Sequence, residues 1–200
     1  MKANITSCLA ALGLGALLLA TASCGNKQEP QEKAPEVPDS TLRVVLLDRT
    51  DSTLHVRLLT DSTEHTYTLQ TALSDKAVHG RLAEGDTLAV VEAPGHGDLR
   101  SVVNVGQLAG FWMFDGQDGN GMRLLPDGAA ENVGTAGVGL RSWRMKNGEL
   151  LITYLPADGS SLKEQTDTSS LHALSDTTLT LTLRGKAYTC HRHSGLITAP

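Results

Sequence analysis

The sequence predicts an all-β protein in two parts: a five-stranded small barrel over residues 39–106, then an eight-stranded up-and-down barrel over residues 107–194. Three observations lead there. Apolar and polar residues alternate with period two through most of both halves. Asp, Ser, Asn and Gly clusters recur between those runs at turn spacing. Folding the back half about Asn147-Gly148 brings apolar residues opposite one another on one face, as a half-buried strand pair requires.

Residues 1–23 do not belong to the folded part. Lys2 is the one base ahead of an apolar run at 8–20, too short to span a bilayer as a helix and of the length of a signal core. Leu19-Ala20-Thr21-Ala22-Ser23-Cys24-Gly25 follows and resembles the bacterial lipobox, with Thr21 where that motif most often has Leu. The resemblance implies that Cys24 is lipidated and becomes the first residue of the mature chain. Two or three acyl chains anchor stably where one would be marginal. Residues 24–38 then read as a disordered tether, rich in Pro and charge with little to bury. Extended, it would hold the folded part about 40 Å from a membrane. The expected location is the bacterial cell envelope, the outer membrane foremost.

Composition narrows the partners. The formal net charge is −5, and Lys2 is the only charged residue of 1–23, so the rest carries 16 Lys+Arg against 22 Asp+Glu. Such a chain has no electrostatic pull on nucleic acid. With Cys8 lost and Cys24 acylated, Cys190 stands alone, so neither an intramolecular disulfide nor a cysteine-rich zinc site can form.

In the front half, Asp-Ser-Thr at 39–41, 51–53 and 61–63 punctuates strands at 42–48, 54–60 and 64–70. A short helix is expected around 72–79, then strands at 86–92 and 99–105 joined through Pro94-Gly95-His96-Gly97. Three strands, a helical piece and two strands is the order of an OB-like small barrel. No basic face accompanies it, so the oligonucleotide role of such barrels does not carry over.

In the back half, Asn147-Gly148 is a preferred type I′ turn and pairs Lys146 with Glu149, Met145 with Leu150, Trp143 with Ile152 and Arg141 with Tyr154. Gly185-Lys186 suits a type II′ turn, pairing Leu183 with Tyr188, Leu181 with Cys190 and Leu179 with Arg192. Asp127-Gly128 and Asp158-Gly159 supply two more turns. About eight locally connected strands between Phe111 and His193 close most simply as an up-and-down barrel, which leaves no exposed edge.

Gly110-Phe111-Trp112 and the stretches GMRLLPDGAAENVG, LRSWRMKNGELLITYL and LTLRGKAYTCHR are similar to the lipocalin-like domains of Bacteroidota lipoproteins, over residues 110–192. In lipocalins a late-strand Arg packs over the Trp of a Gly-x-Trp motif and closes one barrel end. The resemblance assigns that pair to Trp112 and Arg192, with a cation–π contact inside ~6 Å. The segment 155–168 departs from the family pattern.

Other motifs dissolve on inspection. Cys190 faces opposite to His191 and His193 on a strand, so the three cannot share one ion. The stretch from Asp115 to Gly121 lacks EF-hand spacing, and Gly134-Thr135-Ala136-Gly137-Val138-Gly139 follows no βαβ unit. No nucleophile elbow or phosphate loop is present, and His55, His65, His79, His96 and His172 are scattered. No catalytic residue, metal ligand or cofactor is therefore expected. The expected function is non-enzymatic: a lipid-anchored envelope protein whose lipocalin-like barrel serves as a binding or interaction module. Trp143, Ile152, Tyr154, Leu179, Leu181 and Tyr188 would fill its interior or line a ligand. Two alternatives stand: a carrier of a small apolar ligand, or an envelope-stress sensor or adaptor. Some Gram-negative sensors similarly join a lipocalin-like and an OB-like barrel, but in the opposite order and with a Cys-x-x-Cys absent here.

Overall fold

The computed structural model describes residues 37–95, 97–117, 119–134, 138–156 and 163–194. The expected signal segment, Cys24 and the tether up to residue 36 lie outside the described residues, as do His96, Asp118 and the Asp158-Gly159 turn.

The front half forms six strands and a short helix. β1 (Thr41–Arg49), β2 (Thr53–Leu58) and β3 (Glu64–Thr68) make the expected antiparallel meander. Alternation holds at Val44, Leu46, Leu54, Val56 and Tyr67, which are buried in one cluster, but not at His65, which is exposed together with Glu64 and Thr66. Helix α1 (Gln70–Ser74) is shorter than the expected 72–79. Lys76 adopts φ +54°, and the Ala77 N–H bonds back to the Ala72 carbonyl at 2.8 Å, a Schellman-type stop. The chain is thereby released into β4 (Val78–His79), which pairs parallel to a later strand.

β5 (Thr87–Glu92) and β6 (Leu99–Asn104) complete the sheet, whose order among the described residues is β3-β2-β1-β5-β6-β4. Where an OB-like five-stranded small barrel was expected, the result is a six-stranded mixed sheet. One isolated parallel bridge, Thr68↔Asp98, joins β3 to the approach of β6. Both faces of β5 are covered. Leu88 and Val90 point into the front cluster, and Ala89 into the cluster of the back half, which explains the unbroken apolar run Leu88-Ala89-Val90-Val91. Strand β6 ends one residue earlier than expected. Asn104 caps the helix α2 (Val105–Leu108) by accepting the Gln107 N–H at 2.8 Å.

The back half is an eight-stranded antiparallel sheet, with all neighbours local in sequence except one. Its strands are β7 (Gly110–Phe114), β8 (Gly121–Leu124), β9 (Ala130–Val133), β10 (Val138–Lys146), β11 (Glu149–Pro156), β12 (Gln165–Leu174), β13 (Thr178–Leu183) and β14 (Lys186–Arg192). The order β10-β11-β12-β13-β14-β7-β8-β9 puts the first strand beside the last, through Cys190↔Phe114 and Arg192↔Trp112. The remaining edges, β9 and β10, approach through the bridge Ala129↔Ser142 and the Leu140 N–H bond to Asn132 Oδ1. The barrel is nearly closed.

Two registers differ from expectation. About Asn147-Gly148 the pairs Lys146↔Glu149, Met145↔Leu150 and Trp143↔Ile152 are as read, with Asn147 at φ +55° and Gly148 at +88°. Beyond them a bulge between Leu140 and Ser142 sets Tyr154 opposite Leu140 instead of Arg141. The extra residue leaves Arg141 in solvent and buries Leu140.

The last hairpin turns on Arg184-Gly185, not Gly185-Lys186, giving Leu183↔Lys186, Leu181↔Tyr188 and Leu179↔Cys190. Arg184 takes φ +52°, a left-handed conformation that costs a non-glycine residue about 1–2 kcal/mol. Its N–H bonds to Asp167 Oδ2, and its guanidinium lies 5.0 Å from the Tyr154 ring centroid. Those tertiary contacts compensate the strain. The displacement is two residues, so every side chain keeps the face expected of it.

Candidate functional site

Alternation of strand direction gives the barrel two unlike ends. Trp112, Arg192 and the turns at 125–129, 147–148 and 175–177 gather at one; the turns at 115–120 and 184–185 lie at the other.

The first end is sealed by a salt-free ionic plug. Trp112 is fully buried and donates its indole N–H to the Leu108 carbonyl at 2.9 Å. The Arg192 guanidinium carbon sits 4.2 Å from the Trp112 ring centroid, inside the range of a cation–π contact. Its donors are spent on backbone carbonyls: Nε on Asp176 at 2.8 Å, Nη1 on Ala109 at 3.1 Å, and Nη2 on Gln107. Burial pulls the Arg192 pKa down, and the Asp176 carboxylate opposes that pull, yet guanidinium stays charged at any relevant pH. Gly110 is required here. A Cβ on it would collide with Arg192 Nη1, and its φ of +154° suits glycine.

Above that plug the inward side chains pack as one apolar cluster. Ile152, Leu179 and Leu181 are fully buried, Trp143 and Tyr154 nearly so, together with Met122, Leu124, Leu150 and Cys190. Tyr188 is only partly buried and packs on the cluster beside Phe114, ring centroids 4.9 Å apart. The hydroxyl of Ser169 is buried among them without a hydrogen-bond partner among the described residues. At this second end two cations lie over tyrosines: Arg184 over Tyr154, and Lys186 over Tyr188 at 5.2 Å.

The sealed end also carries the seam with the front sheet. Asn104 donates to the Arg81 carbonyl at 2.6 Å and to Asp86 Oδ2 at 2.9 Å; Gln107 accepts the Arg81 N–H at 2.7 Å and donates to Asp176 Oδ1 at 2.6 Å. On the other flank, the Asn147 side chain accepts from the Ser40 N–H at 2.8 Å and donates to the Pro38 carbonyl at 3.0 Å.

Residues 106–192 match the family model described as lipocalin-like. The back half is a lipocalin-like domain. Among solved structures, one similar chain is a lipocalin-like protein from Bacteroides thetaiotaomicron, 22% identical, covering 44% of this chain and 97% of its own, with a TM-score of 0.37. No curated protein matches the chain.

Cys190, His191 and His193 do not converge. Cys190 faces the core of the lipocalin-like domain, and burial, helped by the Asp115 charge, pushes its thiol up to about 12, far from nucleophilic character. His191 faces out and pairs with Asp115 at 3.0 Å, and His193 packs edge-on against Phe111. Among the described residues no three His, Cys, Asp or Glu side chains group as a metal site requires. Sequence reading missed the seam entirely. Sequence alone reads Asn147 as a turn residue and gives Asn104, Gln107 and Asp176 no role.

Proposed function

We propose that this chain is a non-enzymatic, lipid-anchored cell-envelope protein whose lipocalin-like barrel acts as an interaction module, tethered through Cys24. A lipocalin-like fold is that of a ligand-binding or interaction module, and the observation that favours interaction is the packing of the barrel. Ile152, Leu179, Leu181, Leu150 and Met122 are fully buried in a single cluster, leaving the outer surface and the Tyr154–Tyr188 end to meet a partner. A carrier needs an enclosed apolar volume of a few hundred cubic ångströms.

Native mass spectrometry of the protein extracted from membranes tests the reading. The expected spectrum shows the acylated polypeptide mass with no copurifying small apolar molecule. A stoichiometric apolar ligand would make the protein a carrier instead. Detergent-phase partitioning of a Cys24→Ser form tests the anchor separately, since that form should move to the aqueous phase.

A further inference from the structure

Where the start of β1 lies against the β8–β9 turn and β10, the seam opens into a cleft of about 300 Å³, lined among others by Asp39, Thr41, Arg43, Asp127, Trp143 and Arg144. That volume is at the small end of known ligand sites. Most of its polar groups are already committed. Asp39 accepts the Thr41 N–H at 3.0 Å and pairs with Arg144 at 3.6 Å. Asp127 accepts the Ala129 N–H at 3.0 Å, Thr41 Oγ1 accepts the Asn147 N–H at 2.7 Å, and the Trp143 indole donates to the Leu125 carbonyl at 2.8 Å.

Arg43 is the exception. It is half-buried, between the core and solvent on β1, and its guanidinium makes no hydrogen bond or ion pair among the described residues. A guanidinium cannot shed its proton, so partial burial without a counter-ion is unfavourable and is relieved by an anion. Arg144 lies in the same cleft, held among the described residues by a long, exposed ion pair that exchanges partners at little cost. Pro126, Trp143 and Met145 complete the lining; Pro126 is exposed, while Trp143 and Met145 are almost wholly buried.

We propose that this cleft binds a small molecule bearing a carboxylate or phosphate oxyanion, held by Arg43 and assisted by Arg144, with the rest of the molecule against Pro126. The site lies outside the barrel and is independent of whether the barrel interior holds anything.

The chain has two tryptophans, so ¹⁵N-tryptophan labelling gives two indole signals, one from Trp143 on the strand that lines the cleft and one from Trp112 beneath Arg192. Benzoate and inorganic phosphate are the probes, with sodium chloride at matched ionic strength as the control. The expected result is a saturable shift of the Trp143 signal with Trp112 stationary. In Arg43→Gln the affinity should fall roughly tenfold or more, and Arg43→Lys should retain part of it. A response to benzoate alone assigns a carboxylate with an apolar body; a response to both probes assigns recognition of the oxyanion itself. The proposal is overturned if neither probe shifts Trp143 beyond the chloride control. It is equally overturned if Arg43→Gln, with its Trp112 signal unchanged, binds as tightly as the parent.

Discussion

Arg192 and Gly110 occupy one another's space: the guanidinium that covers Trp112 fills the position where a Cβ of residue 110 would stand. The glycine of the Gly-x-Trp motif is thus a consequence of the arginine 82 positions later in the chain. Gly110→Ala should destabilise the protein by about 2–4 kcal/mol, because the guanidinium must leave three carbonyls or the backbone must shift. Arg192→Lys keeps the charge but not the planar fork, and should cost about 1–3 kcal/mol. Urea denaturation of both single variants and the double variant checks this. If the two losses simply add, the residues are not coupled as described.

The hairpin tip at Asn147 has two separable roles. Its left-handed backbone makes the turn, and its side chain ties the barrel to Ser40 and Pro38. Asn147→Gly should leave the turn intact and cost about 1 kcal/mol through the lost seam bonds; Asn147→Ala should cost about 2 kcal/mol, adding left-handed strain. Hydrogen exchange should report weaker protection of the Ser40 amide in both variants.

Ser169 hides an unpaired hydroxyl inside the barrel. Replacing a buried group that lacks a partner removes a desolvation cost, so Ser169→Ala should stabilise by about 1 kcal/mol. Thermal unfolding measures it. A lower midpoint would mean that the hydroxyl is hydrogen-bonded in solution.

The Cys190 thiol gives alkaline pH a defined effect. Its folded pKa is raised to about 12 by burial and then by Asp115, above the ordinary value of 9.0. Over the interval between them the unfolded chain has lost its proton while the folded chain keeps it. Stability from this group is therefore complete below about pH 9 and declines as pH rises toward 12. Cys190→Ala should flatten that part of the stability profile. Alkylation of Cys190 at pH 8 should proceed at the rate of protein opening, not at that of a free thiol.

Acid acts at the other extreme, and in the front sheet. Asp98 is held below the usual carboxylate range by the Thr71 and Thr68 hydroxyls, and its bond to Thr68 braces the isolated bridge from β3 to the residue before β6. Stability from this group is present above the ordinary Asp range and fades as pH falls through its depressed folded pKa. Asp98→Asn should remove that fading, and front-sheet amides near Thr68 should lose protection even at neutral pH.

The sequence by itself determined the strands, their faces and most of their order. Period-two alternation assigns a face residue by residue, which is why it alone places Trp143, Ile152, Leu179 and Leu181 inward. Asn147-Gly148 sets its own register, because only residues tolerant of positive φ make that turn. Trp112 and Arg192 were legible through a family motif. What the tertiary structure alone decided is whatever depends on distant neighbours. Arg184 sits in a left-handed turn because Asp167 and Tyr154 hold it there. The bulge at Leu140 takes its place from the closing contact with Asn132. The seam and its unpaired Arg43 join residues about a hundred positions apart, and local propensity carries no information about pairs at that separation.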